Sequence, residues 1–389
     1  MRGHVPGPAA ADGGKGPELA RKLGVYVHQP LPPPFSLLPF HLSADSPQAL
    51  AMAPSLADAV HFGRGHTAPT LLRGYQRSIS FVAFLSDDDI ISASEDTTIL
   101  RWSLSKGRNQ PFMQGVSCVV ATSPNKRWLA MGWRDLRVKL WDLETLKEPM
   151  TSDGRHVGVI KSLAFSPDSS QLASGAQDGT MLVWSTASLK QVAGPFKGHK
   201  DSVWWICYSP DGKKIASCDR ESIQIWDTAS TTCVGVPISE KAWSLAWSSD
   251  GSSLLAGCID GAIKHYNPDN GTLLTSYMGH CDVVFSIVLS HNAKFFATAS
   301  WDKTIRLWEA ATFQQIGPAL SQDTRVYCIS ISADDSRLVS GARDPHVRVW
   351  NLRTIAPPLF SFFPLEPNRG PVCSSVSGYK PDSRPDDLV

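Results

Sequence analysis

Apolar residues recur along this chain in runs of five or six, and the runs come in threes. Between residues 279 and 308, Val284, Ser286 and Val288 fall on one face of a first run and Phe285, Ile287 and Leu289 on the other. The polar residues 290–294 lead into a second run at 295–299, and a turn around Asp302 leads into a third at 304–308. Short β-rich runs separated by turn residues predict three antiparallel strands. First runs such as 203–208 and 242–247 are apolar on both faces, so each predicts a strand packed on both sides. Ser166-Pro167-Asp168 and Ser209-Pro210-Asp211-Gly212 supply the hairpin turns between first and second runs. Asp269-Asn270-Gly271 predicts a hairpin that needs a positive φ.

The triplet repeats. The aromatic residue that ends the third run falls at Trp102, Trp141, Trp184, Trp226, Tyr266, Trp308 and Trp350, about 39 to 43 residues apart. Six residues earlier stands an Asp: Asp96, Asp135, Asp178, Asp260, Asp302 and Asp344. The fourth unit is one residue shorter there and carries Asp219. Trp141-Asp142 and Trp226-Asp227 close two units, and Gly198-His199 and Gly279-His280 open two, with Arg155-His156 and Gly74-Tyr75 as weaker forms. Over residues 69–352 this pattern resembles the WD40-repeat family, in the manner of its fungal-type arrays. The resemblance implies an all-β, seven-bladed β-propeller. Residues 67–353 then form the propeller, 1–66 a disordered leader rich in Pro, Gly and Ala, and 354–389 a mostly disordered Pro-rich tail. Within that tail, residues 359–363 are apolar enough to pack back on the domain. Thr70–Arg73 stands where the other units carry the outer strand of the preceding blade. It is expected beside the seventh blade, because closing the ring removes two unpaired strand edges.

Composition narrows function mostly by exclusion. Basic and acidic residues nearly balance, 37 against 36, so overall charge favours neither nucleic acid nor an anionic membrane. The eight cysteines lack metal-ligand spacing and read as small buried hydrophobes in a reducing compartment. No apolar run reaches membrane-spanning length, and the N-terminus lacks a basic-then-apolar signal pattern. The expected location is the cytoplasm or nucleus. Neither a P-loop, a Rossmann glycine fingerprint nor His-Glu-x-x-His occurs, so no cofactor and no metal is expected. The stretch Pro30-Leu31-Pro32-Pro33-Pro34 favours polyproline II and reads as part of the leader.

One constellation imitates catalysis. His156, Ser174 and Asp178 in the third unit, His199, Ser217 and Asp219 in the fourth, and His280, Thr298 and Asp302 in the sixth hold the parts of a nucleophilic triad. The set recurs with Trp184, Trp226 and Trp308, whose indole N–H needs an acceptor. Catalysis needs one site, whereas a blade-holding network is needed in every blade. The WD40 resemblance implies a buried chain running Trp, Ser/Thr, His, Asp, and the protein is read as non-enzymatic. The second unit has Met131 in place of the hydroxyl and the fifth has Ala256 and Tyr266, so both are expected to rest on apolar packing.

The resemblance also points to a partner surface, at the loops before strand one and between strands two and three. One contact position precedes the turn Asp: Glu95, Arg134, Gln177, Cys218, Ile259, Trp301 and Arg343. Another lies at the start of strand one: Ser80, Ser117, Lys161, Trp204, Trp243, Phe285 and Tyr327. Trp204, Trp243, Phe285, Trp301 and Tyr327, with Arg325 and Arg343, form the expected partner-binding patch, and Trp301 is expected to be exposed. The functional expectation is an interaction scaffold: a monomeric propeller, inside a larger complex, that binds a protein or peptide. The alternative is a reader of methylated or basic peptides through an aromatic cage.

Overall fold

The computed structural model describes residues 60–61, 68–114, 117–133 and 135–360. These residues belong to one compact unit. They form seven antiparallel sheets, six of them up-and-down meanders. Blade 1 is Ile79–Phe84, Asp89–Ser94, Thr98–Ser103 and Arg108–Gln114. Blade 7 is Val326–Ile331, Arg337–Ala342 and His346–Asn351, completed by Thr70–Arg73 from the other end of the unit.

The first strands touch one another in sequence order around a circle, the last of them, Val326–Ile331, against Ile79–Phe84. A second observation closes the ring. Seven apolar cores each join two consecutive blades, and one of them joins blade 7 to blade 1. A ring of seven blades has seven seams; an open array would have six. In the closing seam Leu72 is fully buried among Val339, Val347 and Val349 of blade 7 and Ile79 and Val82 of blade 1. Thr70 pairs with Val349 and Arg73 with His346.

The hairpins between first and second strands share one local device. In six blades a Ser hydroxyl donates to the carboxylate or amide two residues on: Ser123 to Asn125, Ser166 to Asp168, Ser209 to Asp211, Ser248 to Asp250, Ser290 to Asn292 and Ser332 to Asp334, at 2.5 to 2.9 Å. The same hydroxyl accepts the backbone N–H five residues on, as Gln171 and Lys214 show at 2.9 Å. Short polar side chains of this kind fold a turn on their own.

Three features depart from the sequence reading. In blade 4 the fourth strand is reduced to two bridges, Ile223 to Ile238 and Trp226 to Cys233. In blade 7 a fifth, two-residue strand, Val60–His61, pairs with Leu71 and Leu72, inside the segment read as leader. At the other end, Leu352–Ile355 forms a helical turn after the expected last residue of strand structure, with Ile355 and Ala356 buried in the seam of blades 6 and 7. Leu359 packs on that seam as expected, and residues 361–363 lie outside the described residues. Most of the leader 1–66 and tail 354–389 lies outside them too.

Closure predicts an asymmetry between two truncations. Removing residues 1–66, which spares Thr70–Arg73, should leave the melting temperature nearly unchanged. Removing residues 1–73 should lower it by at least about 5 °C, because Leu72 and a strand edge are lost. Equal melting temperatures for the two proteins would contradict closure through this strand.

Candidate partner-binding site at the channel mouth

The mouth of the channel is held in place from below by a hydrogen-bonded hub in each of five blades. Trp102, Trp184, Trp226, Trp308 and Trp350 donate their indole N–H to Ser92, Ser174, Ser217, Thr298 and Ser340, at 2.7 to 2.9 Å. Every one of these hydroxyls is fully buried. Its second partner comes from the loop before the first strand. In blades 3, 4 and 6 that partner is Nε2 of His156, His199 and His280, each at 2.7 Å.

The last link of the network differs among these three blades. His280 Nδ1 lies 2.8 Å from Asp302, and His199 Nδ1 lies 3.0 Å from Asp219. In blade 3 His156 Nδ1 instead faces the Thr180 hydroxyl at 3.4 Å, and that hydroxyl donates to Asp178 at 2.6 Å. Asp178 also accepts the backbone N–H groups of Val157 and Gly158. Burial holds the His280 imidazole below its ordinary pKa, against the pull of Asp302. The ring is therefore neutral near pH 7. Its partners then assign the proton to Nδ1, so that donation runs one way, from Trp308 through Thr298 and His280 to Asp302. A hydroxyl sealed at the centre of such a chain offers no approach to a substrate.

Sequence reading missed two hubs. In blade 1 the Tyr75 hydroxyl lies 2.6 Å from Ser92, and in blade 7 the Gln322 amide donates to Ser340 at 2.8 Å. The signal was the spacing: ten residues separate hydroxyl and indole in blades 1, 3, 6 and 7. Blade 2 keeps Met131 fully buried where the hydroxyl would be. Blade 5 corrects the expectation of apolar packing alone. There Glu240 accepts from both Lys264 and Tyr266 at 2.6 Å.

The turn between second and third strands is pinned beside the entry to the first strand. The backbone N–H groups of Glu95, Gln177, Ile259, Trp301 and Arg343 donate to the carbonyls of Ser78, Val159, Lys241, Val283 and Arg325. Both families of expected contact position thus meet at one end of the channel. A β-bulge finishes the arrangement. The pairing register slips by one residue at Ser80, Lys161, Trp243, Phe285 and Tyr327. A bulged residue leaves the strand's alternation and is re-aimed, here towards the mouth. In blade 2 the slip falls at Cys118, one residue beyond Ser117. Arg134 lies outside the described residues.

The re-aimed residues of blades 5 to 7, with Trp204 just before the first strand of blade 4, where no slip occurs, make a continuous arc of rings. Trp204 stacks on Trp243 at 5.2 Å between ring centres, Trp243 meets Phe285 at 5.4 Å, and Phe285 meets Tyr327 at 5.4 Å. Trp301 stacks on Phe285 at 5.8 Å. Trp243 and Trp301 are each only 8% exposed, whereas Trp204, Phe285 and Tyr327 are partly open. The expectation that Trp301 is exposed is therefore corrected. Its ring lies between Phe285 and the Arg325 guanidinium, whose centre sits 4.4 Å above it. Trp204 is covered likewise by Lys161 at 5.4 Å and Arg220 at 5.6 Å. Arg343 is exposed at the rim. Burial raises the Tyr327 pKa, and the nearby Arg343 works against that rise. Among the described residues no group of His, Cys, Asp and Glu side chains could hold a metal ion.

The family model described as "WD domain, G-beta repeat" matches residues 147–185, 190–227, 232–267, 271–309 and 316–351. Blade 1 and the first three strands of blade 2 precede these matches, although the structure gives both blades four-stranded sheets like those of blades 3, 5 and 6. The matched unit 190–227 takes in the outer strand of blade 3 and all three strands of blade 4. Sequence repeat and blade are thus offset by one strand. Serine-threonine kinase receptor-associated protein of Dictyostelium discoideum is 29% identical over 123 residues, 32% of this chain and 41% of that protein. Apoptotic protease-activating factor 1 of Homo sapiens is 27% identical over 139 residues, 35% of this chain and 11% of that protein. Autophagy-related protein 16 of Arabidopsis thaliana is 26% identical over 136 residues, 34% of this chain and 27% of that protein. The chain thus spans less than half the length of these curated relatives. Among solved structures, the WD40 β-propeller domain of Doa1 superposes with a TM-score of 0.65 at 22% identity, covering 74% of this chain and 97% of that one. That likeness concerns the fold.

Two measurements follow from the geometry. Trp301→Ala should cost about 3 kcal/mol or more of folding stability, since a large ring leaves a packed site; an unchanged unfolding midpoint would contradict its burial. The second concerns pH. Burial depresses the His156 imidazole to about 4, against the attraction of Asp178. The unfolded chain takes up that proton near the ordinary value of about 6.5. Stability is therefore lost as pH falls from about 6.5 towards 4, on the order of 3 kcal/mol from this residue. Buried His265, also held at about 4, adds in the same direction. His156→Gln, which copies the partner used in blade 7, should flatten the fall in unfolding midpoint between pH 7 and 5. An equal slope in the variant would remove His156 from the account.

Proposed function

Because the chain belongs to the WD40-repeat family, we propose that it is a non-catalytic platform that holds a protein partner against the channel mouth of blades 4 to 7. The observation that carries this reading is the arc of Trp204, Trp243, Phe285 and Tyr327, which crosses four blades at one end of the channel. Aromatic and Arg side chains bury large area while keeping a polar handle, and they dominate binding energy where they cluster. Trp243 and Trp301 make the floor of this patch. Trp204, Phe285 and Tyr327 offer ring surface above it, and Arg325 and Arg343 stand at its rim. The hub residues, buried as they are, hold the blades and contact no partner.

The methyl-Lys alternative fares worse on the geometry. A cage needs open ring faces for its cation. Here Lys161 and Arg220 already lie over Trp204, and Arg325 lies over Trp301. We further place the protein inside the cell and assign it no cofactor. Six cysteines among the described residues are free thiols.

Site-specific photo-crosslinking tests the surface. A photoreactive residue at Tyr327 should give a discrete adduct in native extract. The same probe at Leu274, exposed on the outer strand of blade 5, should not. Arg343→Ala should weaken capture at Tyr327 about tenfold, or about 1.4 kcal/mol. Equal adducts at both positions would place the partner elsewhere.

A further inference from the structure

The aromatic arc carries donors and cations that the protein itself does not pair. The indole N–H groups of Trp204 and Trp301 are buried and have no acceptor in the protein. An indole N–H is a donor only, and leaving one unpaired in a buried site costs about 1–3 kcal/mol. Arg325 and Arg343 have no carboxylate within ion-pair distance among the described residues. The nearby carboxylates are engaged otherwise: Glu95 accepts the Ser78 hydroxyl at 3.0 Å, and Asp201 lies 3.6 Å from Arg220. The mouth therefore combines apolar ring surface with unanswered positive charge and unanswered donors. Against two unpaired guanidinium groups it sets one carboxylate near Tyr327, Glu95, which is already bonded to Ser78.

We infer that the arc recognises an acidic segment of a partner protein, its carboxylates meeting Arg325 and Arg343 while its apolar side chains lie on Phe285 and Tyr327. This deepens the platform reading and rests on it. A guanidinium binds a carboxylate through two parallel N–H bonds, a geometry that a point charge cannot supply. Single-stranded nucleic acid is the other anionic candidate. It binds by stacking successive bases on several open rings, and here Trp243 and Trp301 are each only 8% exposed and Trp204 is covered by Lys161 and Arg220, which leaves Phe285 and Tyr327. An acidic protein segment fits the charge and needs only those two rings.

The test uses the full chain and fluorescence anisotropy. The probes are labelled peptides of one length and one apolar content that carry Glu, Gln or trimethyl-Lys at the same positions, together with labelled oligothymidylate. The Glu peptide should bind at least about tenfold tighter than either of the others and than the oligonucleotide, with affinity falling as salt rises. Arg343→Gln should cost the Glu peptide about tenfold and the Gln peptide nothing, at an unchanged unfolding midpoint. Arg325→Gln should do the same; since Arg325 also covers Trp301, the exposed Arg343 is the decisive position. Equal affinity for Glu and Gln, a preference for trimethyl-Lys or for oligothymidylate, or no binding of any peptide would overturn the inference. If the Tyr327 crosslink forms while the Glu preference is missing, the acidic specificity falls and the platform reading stands. If the crosslink itself fails, that reading falls with it.

Discussion

Each Trp that ends a third strand brings into a seam one N–H that must find an acceptor. The answer in five blades is a hydroxyl on the second strand, which accepts from the indole and also bonds a side chain from the loop before the first strand. A hydroxyl suits this place because it accepts and donates at once. The net worth of any one such bond is about 1 kcal/mol, while leaving the buried donor unmet costs up to about 3 kcal/mol. The hub therefore acts mainly as a constraint. Any arrangement that moves the entry loop away from the third strand leaves buried groups unpaired, and the loop stays where the hub puts it.

That constraint leaves room for variation at its outer end. Tyr75, the three histidines and Gln322 all reach the hub hydroxyl from the same loop position. What they share is reach and a polar tip, and a common charge state is not required. Space is the stricter demand in blade 4. At Gly198, a Cβ would come within 2.8 Å of the Trp226 ring, so in blade 4 the residue before the hub histidine has to be small, whereas blade 3 carries an exposed Arg155 there. Blade 5 solves the problem differently, with Glu240 between Lys264 and Tyr266. Both charged groups there keep a margin of solvent, 20% and 13% of the side chain, which limits the desolvation that makes sealed ion pairs costly.

The fixed loops in turn decide what the channel mouth displays. Once the entry loop and the turn between strands two and three are pinned together, one slip in register lifts a first-strand residue out of the sheet and towards the mouth. The same backbone device presents Ser80 and Lys161 on early blades and rings on later ones. The scaffold is thus nearly symmetric while the surface it presents is not. Function is carried by the side chains set on a repeated backbone position, and the backbone is the same where no partner surface is proposed.

The sequence by itself determined the strands, the number of units and the closing role of Thr70–Arg73. All of these follow from local periodicity and from a spacing that repeats, which a linear chain displays openly. It also marked the hubs of blades 3, 4 and 6, because His, Ser or Thr, Asp and Trp recur there at near-constant offsets. Only the tertiary structure decided what depends on neighbours from other blades. Tyr75 and Gln322 could not be recognised by residue type, since their role comes from reaching a hydroxyl on a strand 17 or 18 residues away. Trp301 stood at a turn position filled elsewhere by Glu, Gln and Arg, and nothing local demanded its burial. It is buried because Phe285 of its own blade lies on one face and Arg325 of the next lies on the other, a meeting set by the curvature of the ring.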